Sequence, residues 1–154
     1  MTRALTPVVG AILLVTVTVA LAGLAGAAVI GSDSVESPPH ARLTMEADAS
    51  ADRIAITHAG GESLSMEAVT VRIEIDSQPL TRQPPVPFFA ARGFVSGPTG
   101  PFNPATDSTW TAGETATLEL ASTNAPSMDP GTTVSVTVAT DRGVVAQLET
   151  DASR

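Results

Sequence analysis

The stretch Arg3-Ala4-Leu5-Thr6-Pro7-Val8-Val9-Gly10-Ala11-Ile12-Leu13-Leu14-Val15 opens an apolar run that continues without a charge to Ile30-Gly31-Ser32. After Arg3 the next ionisable side chain is Asp33. From Pro7 to Ile30 there are about 24 residues, or about 36 Å of α-helix. A bilayer hydrocarbon core is about 30 Å thick and is crossed by about 20 apolar residues. Such a segment is incompatible with free exposure to water; it belongs in lipid or against other copies of itself. Beyond it the hydropathy pattern changes, so the chain divides into a helix and a separate domain.

Of the 154 residues, 16 are acidic and 8 basic, and the formal charge is -8. Every basic residue is Arg; Lys is absent. This balance argues against nucleic acid as a partner, because such binding rests on a basic patch that neutralises phosphates. Acid excess without Lys suits a high-salt habitat, where charge repulsion is screened; a GC-rich genome would also favour Arg. The chain has no Cys, which removes a disulfide framework, thiolate metal sites and a thiol nucleophile together. Tyr is absent as well, and no aromatic stacking platform is visible.

The apolar run is too long for an ordinary secretory signal, whose h-region is 7–15 residues, although Ala25-Gly26-Ala27 imitates a small-residue cleavage site. A plain signal anchor is the simpler alternative, with Arg3 inside and Asp33 and Glu36 outside. Finer detail goes beyond either. Thr6-Pro7 reads as a helix start, with the Thr hydroxyl as N-cap and Pro at the first helical position. Gly23, Ala27 and Gly31 recur every four residues, a small-residue stripe that lets helices approach closely.

The segment from Arg3 to Val15 resembles the N-terminus of archaeal type IV pilins, the haloarchaeal ones above all. The shared pattern is a short basic leader, a small residue, an apolar one, Ser or Thr, Pro, two aliphatics and Gly, opening a long apolar helix. The resemblance covers residues 3–31. It implies a class III signal peptide cut by a prepilin peptidase between Arg3 and Ala4, with the helix retained. It also implies a homo-oligomeric filament, alone or with other pilins, in which Thr6, Pro7, Gly10, Gly23, Ala27 and Gly31 belong to the assembly helix. The membrane would hold the helix before assembly. Bacterial type IV pilins usually carry Glu where this chain has Val8, so the likeness is archaeal, and the Gly-Gln opening of archaeal flagellins is missing.

Residues 32–40 read as a polar, Pro-containing linker, with His40 solvated. From residue 41 the period is two. Leu43, Met45 and Ala47 share a face, a turn over 48–52 follows, and Ile54 and Ile56 point inward from a second strand over 53–58. Ala59-Gly60-Gly61-Glu62 reads as another turn; the phrase from Ile56 to Glu62 also looks like one frequent in haloarchaeal pilin-like domains. Val69, Val71, Ile73 and Ile75 form the clearest alternation in the chain. Residues 78–102 are irregular, with prolines at 79, 84, 85, 87, 98 and 101. Phe88, Phe89, Phe94 and Phe102 lie there, expected to pack as a lid more than to form a binding surface. Strands are expected over 115–120, with Ala116, Leu118 and Leu120 on one face, over 133–138 and over 144–148. The last two flank the hairpin turn Asp141-Arg142-Gly143.

The expected architecture is α+β: one long N-terminal hydrophobic helix, then an antiparallel β-sandwich head, with an immunoglobulin-like arrangement as the specific candidate. The expected segments are a leader 1–3, helix 4–31, linker 32–40 and extracellular domain 41–154. No catalytic constellation is found. His40 and His58 form no metal motif, no His-Glu-x-x-His or Gly-x-Ser-x-Gly occurs, and Glu74 with Asp76 fits a solvated strand face. No enzyme activity, cofactor or metal is therefore expected. The competing readings are a non-polymerising anchored ectodomain that binds a ligand, and a secreted protein with an atypical signal.

Overall fold

In a computed structural model the described residues are 5–30 and 36–154, with helix side chains described from 7 to 23. Two compact units result, one N-terminal and the other Glu36–Arg154. The first contains a single helix, α1 (Leu5–Ile30). Its start differs from expectation. Leu5 is already helical, so Thr6 lies inside the first turn and is not its N-cap. Pro7 is accommodated there because the first four N–H groups of a helix have no intrahelical acceptor to lose.

The second unit is built of antiparallel strands: β1 (Ala41–Asp48), β2 (Arg53–Gly61), β3 (Leu64–Ser65), β4 (Thr70–Ile75), β5 (Gln78–Pro79), β6 (Thr109–Trp110), β7 (Thr115–Glu119), β8 (Thr133–Thr140) and β9 (Gly143–Asp151). They pair as β1-β2-β7, β3-β6 and β5-β4-β8-β9. Past β9, Ser153 bridges in parallel to Asp48 at the end of β1. The expected faces largely hold: Leu43, Ala47, Ile54, Ile56, Val71, Ile73, Ile75, Ala116, Leu118, Val134, Val136 and Val138 are buried in one core, whereas Met45, expected with Leu43 and Ala47, is half-buried and packs at its edge. The period-two pattern produces this because successive strand side chains point to opposite faces.

Two departures have local causes. β2 runs on through Ala59-Gly60-Gly61, where a turn was expected. Gly61 has φ +101°, and a Cβ on it would strike the His40 carbonyl oxygen. Only glycine lets β2 pass that close to the start of β1. Second, the Pro-rich stretch is less irregular than it reads. It holds β5 and a 3₁₀ turn (Gly100–Phe102). Phe88, Phe94 and Phe102 are buried in the core, as a lid requires, whereas Phe89 is 65% exposed. Leu64 pairs with Trp110 across the β3–β6 ladder, and the Trp110 ring meets Phe102 edge-on with centroids 5.5 Å apart.

Segment 36–40 joins this unit through specific contacts. Arg142 pairs with Glu36 at 3.0 Å, and the backbone of His40 bonds Glu62 at both its N–H (2.7 Å, to the carboxylate) and its carbonyl (2.9 Å, from the Glu62 N–H). His40 itself is exposed.

The loop is fastened by one buried amide. Asn124 Oδ1 accepts from Arg82 N–H at 3.0 Å, while Nδ2 donates to the carbonyls of Arg82 (3.0 Å) and Gly93 (3.1 Å). With the Ala125 N–H, which also donates to Oδ1 (3.0 Å), Asn124→Ala strands four backbone groups, and an unmade buried hydrogen bond costs about 1–3 kcal/mol. Faster amide exchange at Arg82 and earlier proteolytic nicking within 82–93, with the other strands still protected, is the expected result.

Candidate functional site

The helix is the first functional element, and its surface decides what it does. At about 100° per residue, Val8, Val15 and Val19 lie on one side, Leu14, Val17 and Leu21 opposite, and Val9 and Leu13 between them. All eight are 48–69% exposed. Among the described side chains no polar face breaks this coat. The two hydroxyls of the stretch turn inward on the backbone: Thr16 Oγ1 donates to the Ile12 carbonyl (2.8 Å) and Thr18 Oγ1 to that of Leu14 (2.7 Å). Both are thereby satisfied without water or a partner, as an apolar surrounding demands. A helix apolar on all sides is one that is buried on all sides.

Gly10 and Gly23 have open space where a Cβ would stand. Thirteen positions apart, they point in directions about 140° apart around the axis, so Gly10 is not in line with the stripe that Gly23 begins. Thr6 and Ala27 fall in α1 but their side chains lie outside the described residues, as do Arg3, Ala4 and Gly31 altogether. Among the described residues no helix is long and apolar enough to cross a membrane; the described side chains end at Gly23, short of Ile30.

The β unit adds two exposed surfaces that alternation could not single out. One is the loop that carries Phe89. The other is the outward face of β1-β2-β7, where a groove of about 740 Å³ is lined by Glu46, Asp48, Ala55, Thr117, Glu119 and Asp151 among others. Among the described residues no cluster of acidic or His side chains is placed to hold a metal ion. His58, on the same side of β2 as Ile54 and Ile56, is fully buried. Its Nδ1 accepts from Gly60 N–H (3.3 Å) and its Nε2 faces the Glu62 carbonyl (2.8 Å), so the proton sits on Nε2. That is a structural role at the C-terminal end of β2.

Two turn carboxylates have lowered pKa values. Asp48 accepts from Ser50 Oγ (2.6 Å), Ser50 N–H (2.9 Å) and Ala51 N–H (3.2 Å), with the Ser50 hydroxyl the largest cause and Arg53 a minor one. Glu114 is lowered chiefly by Thr111 N–H (2.6 Å) and then by the Thr111 hydroxyl (2.9 Å). Depressed carboxylates stabilise the fold fully above their unfolded values, 3.8 for Asp48 and 4.5 for Glu114. That stability is lost as pH falls through the folded values. The melting temperature is thus expected to hold from neutral pH to about 4.5 and then fall. Glu114→Gln lowers it at neutral pH and flattens the acid limb, as thermal scans across pH would record.

With these surfaces described, comparison with known proteins bears on the first. Residues 3–43 match the family described as archaeal type IV pilin, N-terminal. The likeness is confined to the N-terminal segment of the chain. The match is longer than the resemblance over 3–31, reaching past the helix into the first residues of β1. An uncharacterized protein of Archaeoglobus fulgidus is 33% identical over 73 residues, 46% of this chain and 52% of that protein. The chain therefore spans about half the length of that relative. The matched residues include the whole of α1, and the second unit overlaps the match only at residues 36–43.

Proposed function

We propose that this protein is a structural subunit of an archaeal type IV pilus-like surface filament. The observation that carries the proposal is α1: a pilin-type helix with aliphatic side chains around its whole circumference and no polar face. Such a helix is held in the membrane before assembly and by its neighbours' helices afterwards. A prepilin peptidase cuts between Arg3 and Ala4, leaving 4–31 as the assembly helix, 32–40 as the connection and 41–154 as the extracellular head. Thr6, Pro7 and Gly10 open the helix, and the stripe Gly23-Ala27-Gly31 permits close helix contact. The heads form the outer surface, which supports adhesion or attachment. The family is one of structural proteins, so the activity is mechanical and not catalytic.

The sheets β1-β2-β7 and β5-β4-β8-β9 share one core, and Ser153, past β9, bridges in parallel to Asp48 of β1; this favours an immunoglobulin-like sandwich for the head. Its acid excess favours a high-salt habitat.

The mass of the mature N-terminus, measured on protein from cells, tests the reading. Ala4 as first residue is expected. A chain starting at Met1 or Thr2 would make it a non-polymerising anchored ectodomain, and one starting near Ala28 a secreted protein.

A further inference from the structure

We infer that the closed loop over residues 89–97 of one copy docks on the outward face of β1-β2-β7 of a second copy, an inference that rests on the filament reading. Between Asp76 and Asp107 a chain of charge -8 carries Arg82 and Arg92 and no carboxylate. Both arginines are exposed, and among the described residues neither is in an ion pair. Gly93 packs against Arg82 and Asn124, which brings the two arginine positions together.

The loop is a prepared projection. Gly97 N–H donates to the Phe89 carbonyl (2.8 Å), Phe94 N–H to that of Ala91 (3.2 Å), and Val95 N–H to that of Glu119 (2.9 Å). Beneath it the buried rings of Phe88 and Phe94 stand 5.6 Å apart. Phe89 alone among the phenylalanines faces solvent, and Val95 of the same loop is exposed too. An aromatic held on a frame already ordered loses little freedom when it binds.

The receiving face has the opposite character. Cross-strand register sets Glu46, Ala55 and Thr117 in one row and Asp48, Arg53 and Glu119 in the next. Ala55 is the small residue between Glu46 and Thr117, and the groove opens over it, with Asp151 on its far wall. Four carboxylates face one arginine, which is itself spent on Asp48 at 3.4 Å. Phe89 fits over Ala55 while Arg82 and Arg92 meet Glu46 and Glu119. An acidic partner molecule would use the loop and leave the groove idle; a cationic one would do the reverse. A second copy uses both, and a head-to-tail contact in which each copy gives its loop and receives another's runs on as an open filament wherever its rotation does not close a ring.

The absence of cysteine makes the test clean. Full-length Ala55→Cys and Ala90→Cys chains are co-expressed and treated with a short bismaleimide in intact cells. A mixed dimer is expected that neither variant gives alone. Reversing the loop with R82E/R92E should cut that dimer about tenfold or more, since like charges then face each other, and adding E46R/E119R should restore most of it. No mixed dimer, or charge reversal without effect, overturns the inference. So does a loss that E46R/E119R fails to repair, which would assign the loop to a different partner. Thermal scans confirm that each variant is folded. The N-terminal mass decides the filament reading separately, and the cross-link is read whether or not filaments form.

Discussion

Val17→Asp is expected to remove the protein from both membrane and filament. Val17 sits near the middle of α1, in a stretch where each described aliphatic side chain is exposed and the hydroxyls are bonded internally. A carboxylate there finds no partner on its own helix. Placing Asp at the centre of an inserted helix costs about 2.5–3.5 kcal/mol, about 100-fold in the insertion equilibrium. Packed against neighbouring helices it fares no better, because an unpaired buried charge is among the most destabilising changes known. Membrane fractionation and filament counts by electron microscopy should both fall, while Val17→Leu leaves both near the wild-type level. If Val17→Asp assembles normally, α1 is not buried and the proposed function fails.

Trp110→Ala is expected to cause the largest loss of stability in the head. The ring is fully buried, meets Phe102 and His58 edge-on at 5.5 and 6.2 Å, and donates Nε1–H to the Glu114 carbonyl at 3.1 Å. Removing a large buried aromatic costs about 3–5 kcal/mol, against a total of about 5–15 kcal/mol for a native domain. The melting temperature should drop by about 10–20 °C for a unit of this size. Phe89→Ala, an exposed site, should change it by less than the equivalent of about 0.5 kcal/mol. The pair of variants separates the two functions of the loop region. Aromatics turned inward hold the head together; Phe89, turned outward, is available for contact.

What was legible in the sequence followed from local periodicity. The uncharged run from Ala4 to Ser32 needs only its length and composition to demand an apolar surrounding. Val69-Thr70-Val71-Arg72-Ile73-Glu74-Ile75 shows its buried face because strand side chains alternate whatever the partner strand is. Asp141-Arg142-Gly143 shows a hairpin because the two flanking strands are adjacent in the chain.

Other features were settled by groups distant in sequence. Glycines 60 and 61 look like a turn until the His40 carbonyl is seen where a Cβ would be. Thr6-Pro7 looks like a cap until Leu5 is found already helical. Phe88 and Phe89 are neighbours with the same side chain; the backbone of a loop tied by Asn124, 30 residues away in sequence or more, turns one in and the other out.

The sequence by itself thus determined an uncharged apolar run at helix length and a domain of half-buried antiparallel strands. These are properties of neighbouring residues: hydropathy, charge and alternation. Only the tertiary structure decided that β7 pairs with β2 and β8 with β4, because such pairings join residues many tens of positions apart through backbone groups common to all side chains. With that pairing it decided that Glu46, Ala55 and Thr117, from three separate strands, form one row under a groove, and which phenylalanine remained outside to meet it.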